Sequence, residues 1–152
     1  MHLPDIAYKS LQVPLIYLLV TGVGILLHIL WPITFTDHTL RIATLGFVFL
    51  FCAPLILIWA HNHRMTKEAD DGRYAEHNLG CGPYRYSRHP RYVAVALMMI
   101  GLALVMNSVI LFAIIIMTSL VLSLTIIPRQ EKFLTRQFPG YADYKKRVRM
   151  WL

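Results

Sequence analysis

The chain is short of charge. Of its 152 residues only 15% are Asp, Glu, Lys or Arg, against about 25% in an average soluble domain. Acidic residues are the scarcer kind, 8 against 15 Lys and Arg. Cysteine is nearly absent: Cys52 falls in an apolar run and Cys81 in a polar loop, so the two are not expected to meet. A thiol facing the cytoplasm stays reduced, and neither cysteine has the spacing to histidine that a metal site requires. No metal is expected. Internal repeats, low-complexity tracts and any polar stretch long enough for a soluble domain are also missing, which excludes most architectures built outside a membrane.

Apolar residues fill the space that charge leaves. They make up 57% of the chain, and mean hydropathy is +0.52. They are also blocked together: Leu11–Trp31, Ile42–Ala60 and Tyr92–Pro128 contain no Asp, Glu, Lys or Arg over 21, 19 and 37 residues. About 20 apolar residues cross ~30 Å of hydrocarbon. The third block would make a helix of about 55 Å, and Asn107-Ser108 divides it into two. The expectation is an all-α, polytopic membrane protein forming a single domain over 1–152. Its four spans lie near 11–31, 40–60, 91–106 and 109–128, the last two as a hairpin, with a loop over 61–90 and a tail over 129–152.

Charge placement supports that count. With four spans, 14 of the 15 Lys and Arg fall on the side of both termini and the 61–91 loop, and only Arg41 falls opposite. The positive-inside rule then puts both termini in the cytoplasm. The net charge of +7 follows from this bias, so the expected partner is the lipid bilayer and its anionic headgroups, with no nucleic acid. The first apolar run is too long for a typical signal-peptide core and has no small-residue cleavage site followed by a polar continuation.

Smaller features follow from residue type. Pro14 is expected in a first helical turn, and Pro54 within the second span, where it kinks the helix. Ala94, Gly101 and Ala103 permit close helix approach. His28 reads as a hydrogen-bonded interface residue. The tail reads as two short helices separated by Pro139-Gly140. In the second of these, Tyr141, Tyr144, Val148 and Trp151 recur at helical spacing, an interfacial pattern with aromatics toward the headgroups.

The stretch GPYRYSRHPRY, Gly82–Tyr92, stands at the threshold of the third block. His89 precedes a proline and is pushed out of the helical region, so a helix should begin at Pro90. Its first turn presents unpaired amides and the positive end of the macrodipole, which suits a carboxylate or phosphate. Arg85, Arg88 and Arg91 add positive charge, and Gly82-Pro83 turns the loop. Taken singly, these arginines and Tyr84, Tyr86 and Tyr92 also suit a topology collar and an aromatic belt. Glu131 is the only acidic residue between Glu76 and Asp143 and lies on the same face. It suits pairing with Arg88 or Arg129, or holding the ammonium or ribose hydroxyls of a zwitterionic ligand.

Together, GPYRYSRHPRY, the Asn107-Ser108 turn and RQEKFLTRQFPGYADYKKRVRMWL resemble the isoprenylcysteine carboxyl methyltransferase-like family, to which phospholipid methyltransferases are related. The resemblance covers about residues 79–152. It implies an integral membrane methyltransferase, in a bacterial inner membrane, that uses S-adenosylmethionine and a lipophilic or small-molecule acceptor. Residue by residue, it implies cofactor contacts from Leu79, Gly82, Pro83, Tyr84, His89, Pro90, Tyr92, Glu131 and Tyr144. It implies catalytic roles for Arg88, Glu131 and Arg147. The family's Glu-Glu pair is here Gln130-Glu131, its Phe-Gly-x-x-Tyr is shortened to Phe138-Pro139-Gly140-Tyr141, and TKEADDGRYAEHNLGC lacks a proline-rich pattern. These departures leave the acceptor open.

Methyl transfer from a sulfonium depends on alignment and desolvation. A carboxylate or thiolate acceptor needs no general base, whereas an amine does. Two other readings stand beside this one: a nicotinamide-dependent membrane reductase of the sterol-reductase type, and a non-catalytic membrane protein that keeps the fold.

Overall fold

Apolar runs in hydrocarbon must satisfy their own amides, and helices do so within one segment. The computed structural model describes residues 4–36, 39–63, 81–137 and 140–151. Its regular elements are α1 Pro4–Leu30, α2 Thr39–Asn62, α3 Pro90–Val105, α4 Val109–Gln137 and α5 Tyr141–Arg147, with a 310 turn at Gly82–Arg85 before α3. Among the described residues there is no β-strand, only one isolated bridge between Thr34 and Ser108.

Three helices are long and apolar enough to cross a membrane: α1 over Val13–Leu30, α2 over Leu40–Asn62 and α4 over Val109–Arg136. The 16 residues of α3 reach about 24 Å at ~1.5 Å each, less than the ~30 Å of hydrocarbon. Leu19, Phe51 and Leu124 are 70%, 73% and 71% exposed, the apolar exterior that lipid covers.

Two boundaries differ from expectation. Helix α1 begins at Pro4, so Pro14 lies in its interior; a proline withdraws one amide there, and the helix continues around it. Helix α4 runs through Pro128 to Gln137 and absorbs the first of the two expected tail helices. The segment after Pro128, RQEKFLTRQ, has neither glycine nor a second proline to stop it. Glu131 therefore rides on the same continuous helix as the apolar run.

The ends of the molecule are tied differently. At one end, Asn107 in the α3–α4 turn adopts φ 50°, a left-handed conformation that asparagine tolerates better than most residues. Its side chain accepts from the Phe35 amide at 3.1 Å and donates to the Thr36 carbonyl at 2.7 Å. Val109 N donates to Ile33 O at 3.1 Å. The α1–α2 connection is thereby pinned to the α3–α4 turn, which leaves the start of α3 and the polar end of α4 together at the opposite end.

Helices α2 and α3 form the most extensive contact, because both backbones are bare at the crossing. A Cβ on Gly46 would meet the Gly101 carbonyl at 2.7 Å, and one on Gly101 would meet the Gly46 carbonyl at 2.8 Å. Ala94 and Ala103 are buried as expected. Gly24 makes room for Leu111 between α1 and α4, where Val13, Tyr17, Ala103, Leu111 and Ile115 form the core. The Tyr17 hydroxyl shares a 2.8 Å bond with Ser119, and Thr21 donates to Met99 Sδ. His28 Nδ1 is buried with no hydrogen-bond partner. Neither Cys52 nor Cys81 forms a disulfide.

Candidate functional site

The loop before α3 is shaped by Gly82. Its φ of 55° favours glycine, and a Cβ there would strike the His63 ring at 2.7 Å. After the 310 turn, Ser87 organises the chain: its hydroxyl accepts from His89 N at 3.2 Å and donates to the Met150 carbonyl at 3.1 Å. Arg88 N donates to the Arg149 carbonyl at 3.0 Å. The residues after α5 are thus hydrogen-bonded along the loop. His89, at φ −128° and ψ 53°, is the N-cap, and α3 starts at Pro90 as the proline requires. The Tyr92 amide donates to His89 O at 3.0 Å, so this first turn closes 310-fashion and offers fewer open amides than expected.

Glu131 is the centre. It is 2% exposed, and both its oxygens face cations. Arg88 Nη1 donates to Oε1, Lys145 Nζ lies 2.7 Å from Oε2, and His89 Nε2 stands 3.4 Å from Oε1 without hydrogen-bond geometry. The His89 ring stacks on Tyr92, centroids 5.5 Å apart and planes 4° apart, and the Tyr92 hydroxyl donates to Gln130 Oε1 at 2.7 Å. The Tyr144 hydroxyl donates to the Tyr84 carbonyl at 2.7 Å. Burial first, then the Glu131 charge, pushes the Tyr141 phenol up; burial, then the neighbouring Tyr141, does the same for Tyr144. Both remain neutral donors at physiological pH.

Three buried polar atoms in this group have no hydrogen-bond partner, Arg88 Nε, His89 Nε2 and the Tyr141 hydroxyl, although His89 Nε2 stays within ion-pair range of Glu131. A buried polar group left unpaired costs about 1–3 kcal/mol, so native structures rarely gather several in one place. All three are gathered about one carboxylate, that of Glu131. Next to them runs a groove of about 360 Å³, walled by Leu18, Leu57, Val95 and Met99, with Arg91 and Tyr92 also lining it. Tyr92 belongs to both, its ring stacked on His89 while it also lines the groove. Among the described residues, no group of three His, Cys, Asp or Glu is placed to hold a metal ion.

The phospholipid methyltransferase family model matches residues 42–140, from the start of α2 to the residue before α5. The chain belongs to the phospholipid methyltransferase family. It is also similar to the nickel-cobalt-cadmium resistance protein NccN of Alcaligenes xylosoxydans xylosoxydans, 31% identical over 77 residues, 51% of this chain and 36% of that protein. A second relative is the cobalt-zinc-cadmium resistance protein CzcN of Cupriavidus metallidurans, 31% identical over 67 residues, 44% of this chain and 31% of that protein. The chain thus matches about a third of the length of these curated relatives. No solved structure matches it.

For a member of this methyltransferase family, the residues singled out in the sequence fall into three groups. Arg88, His89, Pro90, Tyr92, Glu131 and Tyr144 converge. Gly82, Pro83 and Tyr84 shape and back the loop behind them, and Leu79 lies outside the described residues. Arg147 is exposed, and its Nε donates to the Asp143 carbonyl of its own helix at 3.4 Å. Of the two partners open to Glu131, the structure selects Arg88. Of the aromatics expected toward the headgroups, Tyr141 and Tyr144 are instead inside the protein, each 1% exposed, because α5 folds back over Glu131, while Trp151 is half-buried. Sequence reasoning missed Ser87, Gln130 as the acceptor for Tyr92, and Lys145. A signal for Lys145 existed: Tyr141, Tyr144 and Lys145 stand at i, i+3 and i+4, one face of a helix.

Proposed function

We propose that this protein transfers a methyl group from S-adenosylmethionine to a lipophilic or small acceptor, a carboxylate, thiol or amine, at the cytoplasmic membrane face. The observation that carries the reading is the buried Glu131 with three buried polar atoms around it that make no hydrogen bond, in a chain that belongs to a methyltransferase family. The residues fit such a cofactor. Glu131 offers a carboxylate for an ammonium or ribose hydroxyl, Arg88 Nε and the Tyr141 hydroxyl are donors in need of acceptors, and His89 Nε2 stands beside the carboxylate at 3.4 Å. When bound, the cofactor supplies an electrophilic methyl on a sulfonium. The protein's part is to hold and orient, and Tyr92, Tyr141 and Tyr144 exclude water. An acceptor's apolar portion is received by the groove beside Tyr92.

The proposal extends to topology. Helix α3 completes a fourth, short crossing paired with α4, and both termini are cytoplasmic, as the distribution of Lys and Arg requires. One domain then carries the cofactor site at the membrane face. The curated relatives are named for metal resistance, and that role is theirs; family membership favours methyl transfer here over a nicotinamide-dependent reduction.

The test is direct. Protein purified in detergent and incubated with methyl-labelled S-adenosylmethionine and a lipid extract is expected to move label into the organic phase. Glu131→Gln is expected to slow this by about tenfold or more. Label that stays with the cofactor, whatever lipid, thiol or carboxylic acid is supplied, contradicts the reading.

A further inference from the structure

We propose that Lys145 is a built-in competitor for the cation-binding oxygen of the cofactor site, and so sets the affinity of that site. The inference rests on the S-adenosylmethionine reading above and concerns a residue that lies beyond the matched family region, which ends at residue 140.

Glu131 has two oxygens and both are occupied. Arg88 takes Oε1, with side-chain exposure of 9% for Arg88 and 2% for Glu131. It is locked between α4 and a loop whose backbone is hydrogen-bonded to the tail. Lys145 takes Oε2 at 2.7 Å, yet its own side chain is 48% exposed. It sits on α5, a helix of only 7 residues. The two cations are therefore unequal. Freeing Oε1 would break a buried ion pair and strand a guanidinium, whereas freeing Oε2 only asks a half-exposed, flexible ammonium to swing into water, where it is well hydrated.

A primary ammonium is also the group that an amino-acid-bearing ligand presents. Lys145 Nζ and the α-ammonium of such a ligand are the same chemical species, and two of them cannot share one oxygen without repulsion. Lys145 thus stands in for the ligand's ammonium and must leave before it arrives. The neighbouring cation Lys146 is already committed, 2.9 Å from Asp143, and takes no part.

Calorimetric titration of the full detergent-purified chain with S-adenosylhomocysteine tests this. Lys145→Met keeps the length and removes the charge, and is expected to bind about threefold tighter or better, the scale of a half-exposed ion pair. Lys145→Arg is expected to stay within about twofold of wild type, and Lys146→Met to match it. Methylthioadenosine, which has no ammonium, is expected to bind Lys145→Met and wild type alike. A purely structural role would instead weaken Lys145→Met and lower its melting temperature. Unchanged or weaker binding of S-adenosylhomocysteine by Lys145→Met overturns the proposal, as does equal tightening toward methylthioadenosine. Failure of wild type to bind either compound overturns the cofactor reading itself.

Discussion

Arg88 does two jobs at one point: its guanidinium holds a buried carboxylate, and its amide ties the loop to the tail. Removing one partner of a buried ion pair leaves the other charge stranded, typically at a cost of about 3–5 kcal/mol. Lys145 remains to share the load in an Arg88→Met variant, so a loss near the lower bound, about 3 kcal/mol, is expected. Denaturant unfolding in detergent measures it; a variant as stable as wild type would mean that the pair carries no structural weight. At this scale, the sequence made His89-Pro90 plain, because a proline forces the residue before it out of the helix. It narrowed the partner of Glu131 to Arg88 or Arg129. Lys145 stayed hidden because it sits in a run of cations at the tail, where periodicity over 7 residues competes with the ordinary reading of a basic surface.

Among the elements, the α2–α3 crossing is the tightest joint. Each glycine there faces a backbone carbonyl of the other helix, which cannot move aside as the neighbouring Val105 and Leu50 side chains could. Gly101→Ala is expected to lower stability by about 1–3 kcal/mol, the usual cost of overpacking. Gly22→Ala, with nothing within 4 Å of its Cβ, is the control and should match wild type or exceed it. Melting curves of the two variants separate these outcomes; equal losses would mean that the crossing is not the constraint. Gly101 was legible as a small residue in an apolar run, but its partner Gly46 was not, since pairing between runs depends on rotations that no single helix specifies. The continuation of α4 past Pro128 was missed for a related reason: proline marks a lost amide, and whether the helix stops there depends on the residues C-terminal to it.

For the molecule as a whole, the polar end collects the start of α3, the end of α4 and α5, and the pinned turn at Asn107 marks the other end. The proposed four-span arrangement predicts which surface faces the cytoplasm. In a background without native cysteines, Lys146→Cys should react with a membrane-impermeant maleimide only after the membrane is opened, and Arg41→Cys should react in intact cells. The reverse pattern would invert the topology, and labelling of both in intact cells would break the count of four. The all-helical, apolar organisation was the most legible feature, because runs without charge are a property of composition. The interior of the site was the least legible, because it depends on three segments, 81–92, 130–131 and 141–150, that only the folded chain brings together.

The central claim is that Arg88, His89 and Glu131 form the binding site for S-adenosylmethionine. Titration of S-adenosylhomocysteine into wild type, His89→Ala and Glu131→Gln, each first checked for an intact melting transition, tests it most directly. Saturable binding by wild type with a loss of about tenfold or more in each variant is the predicted result. Folded variants that bind as tightly as wild type would contradict it.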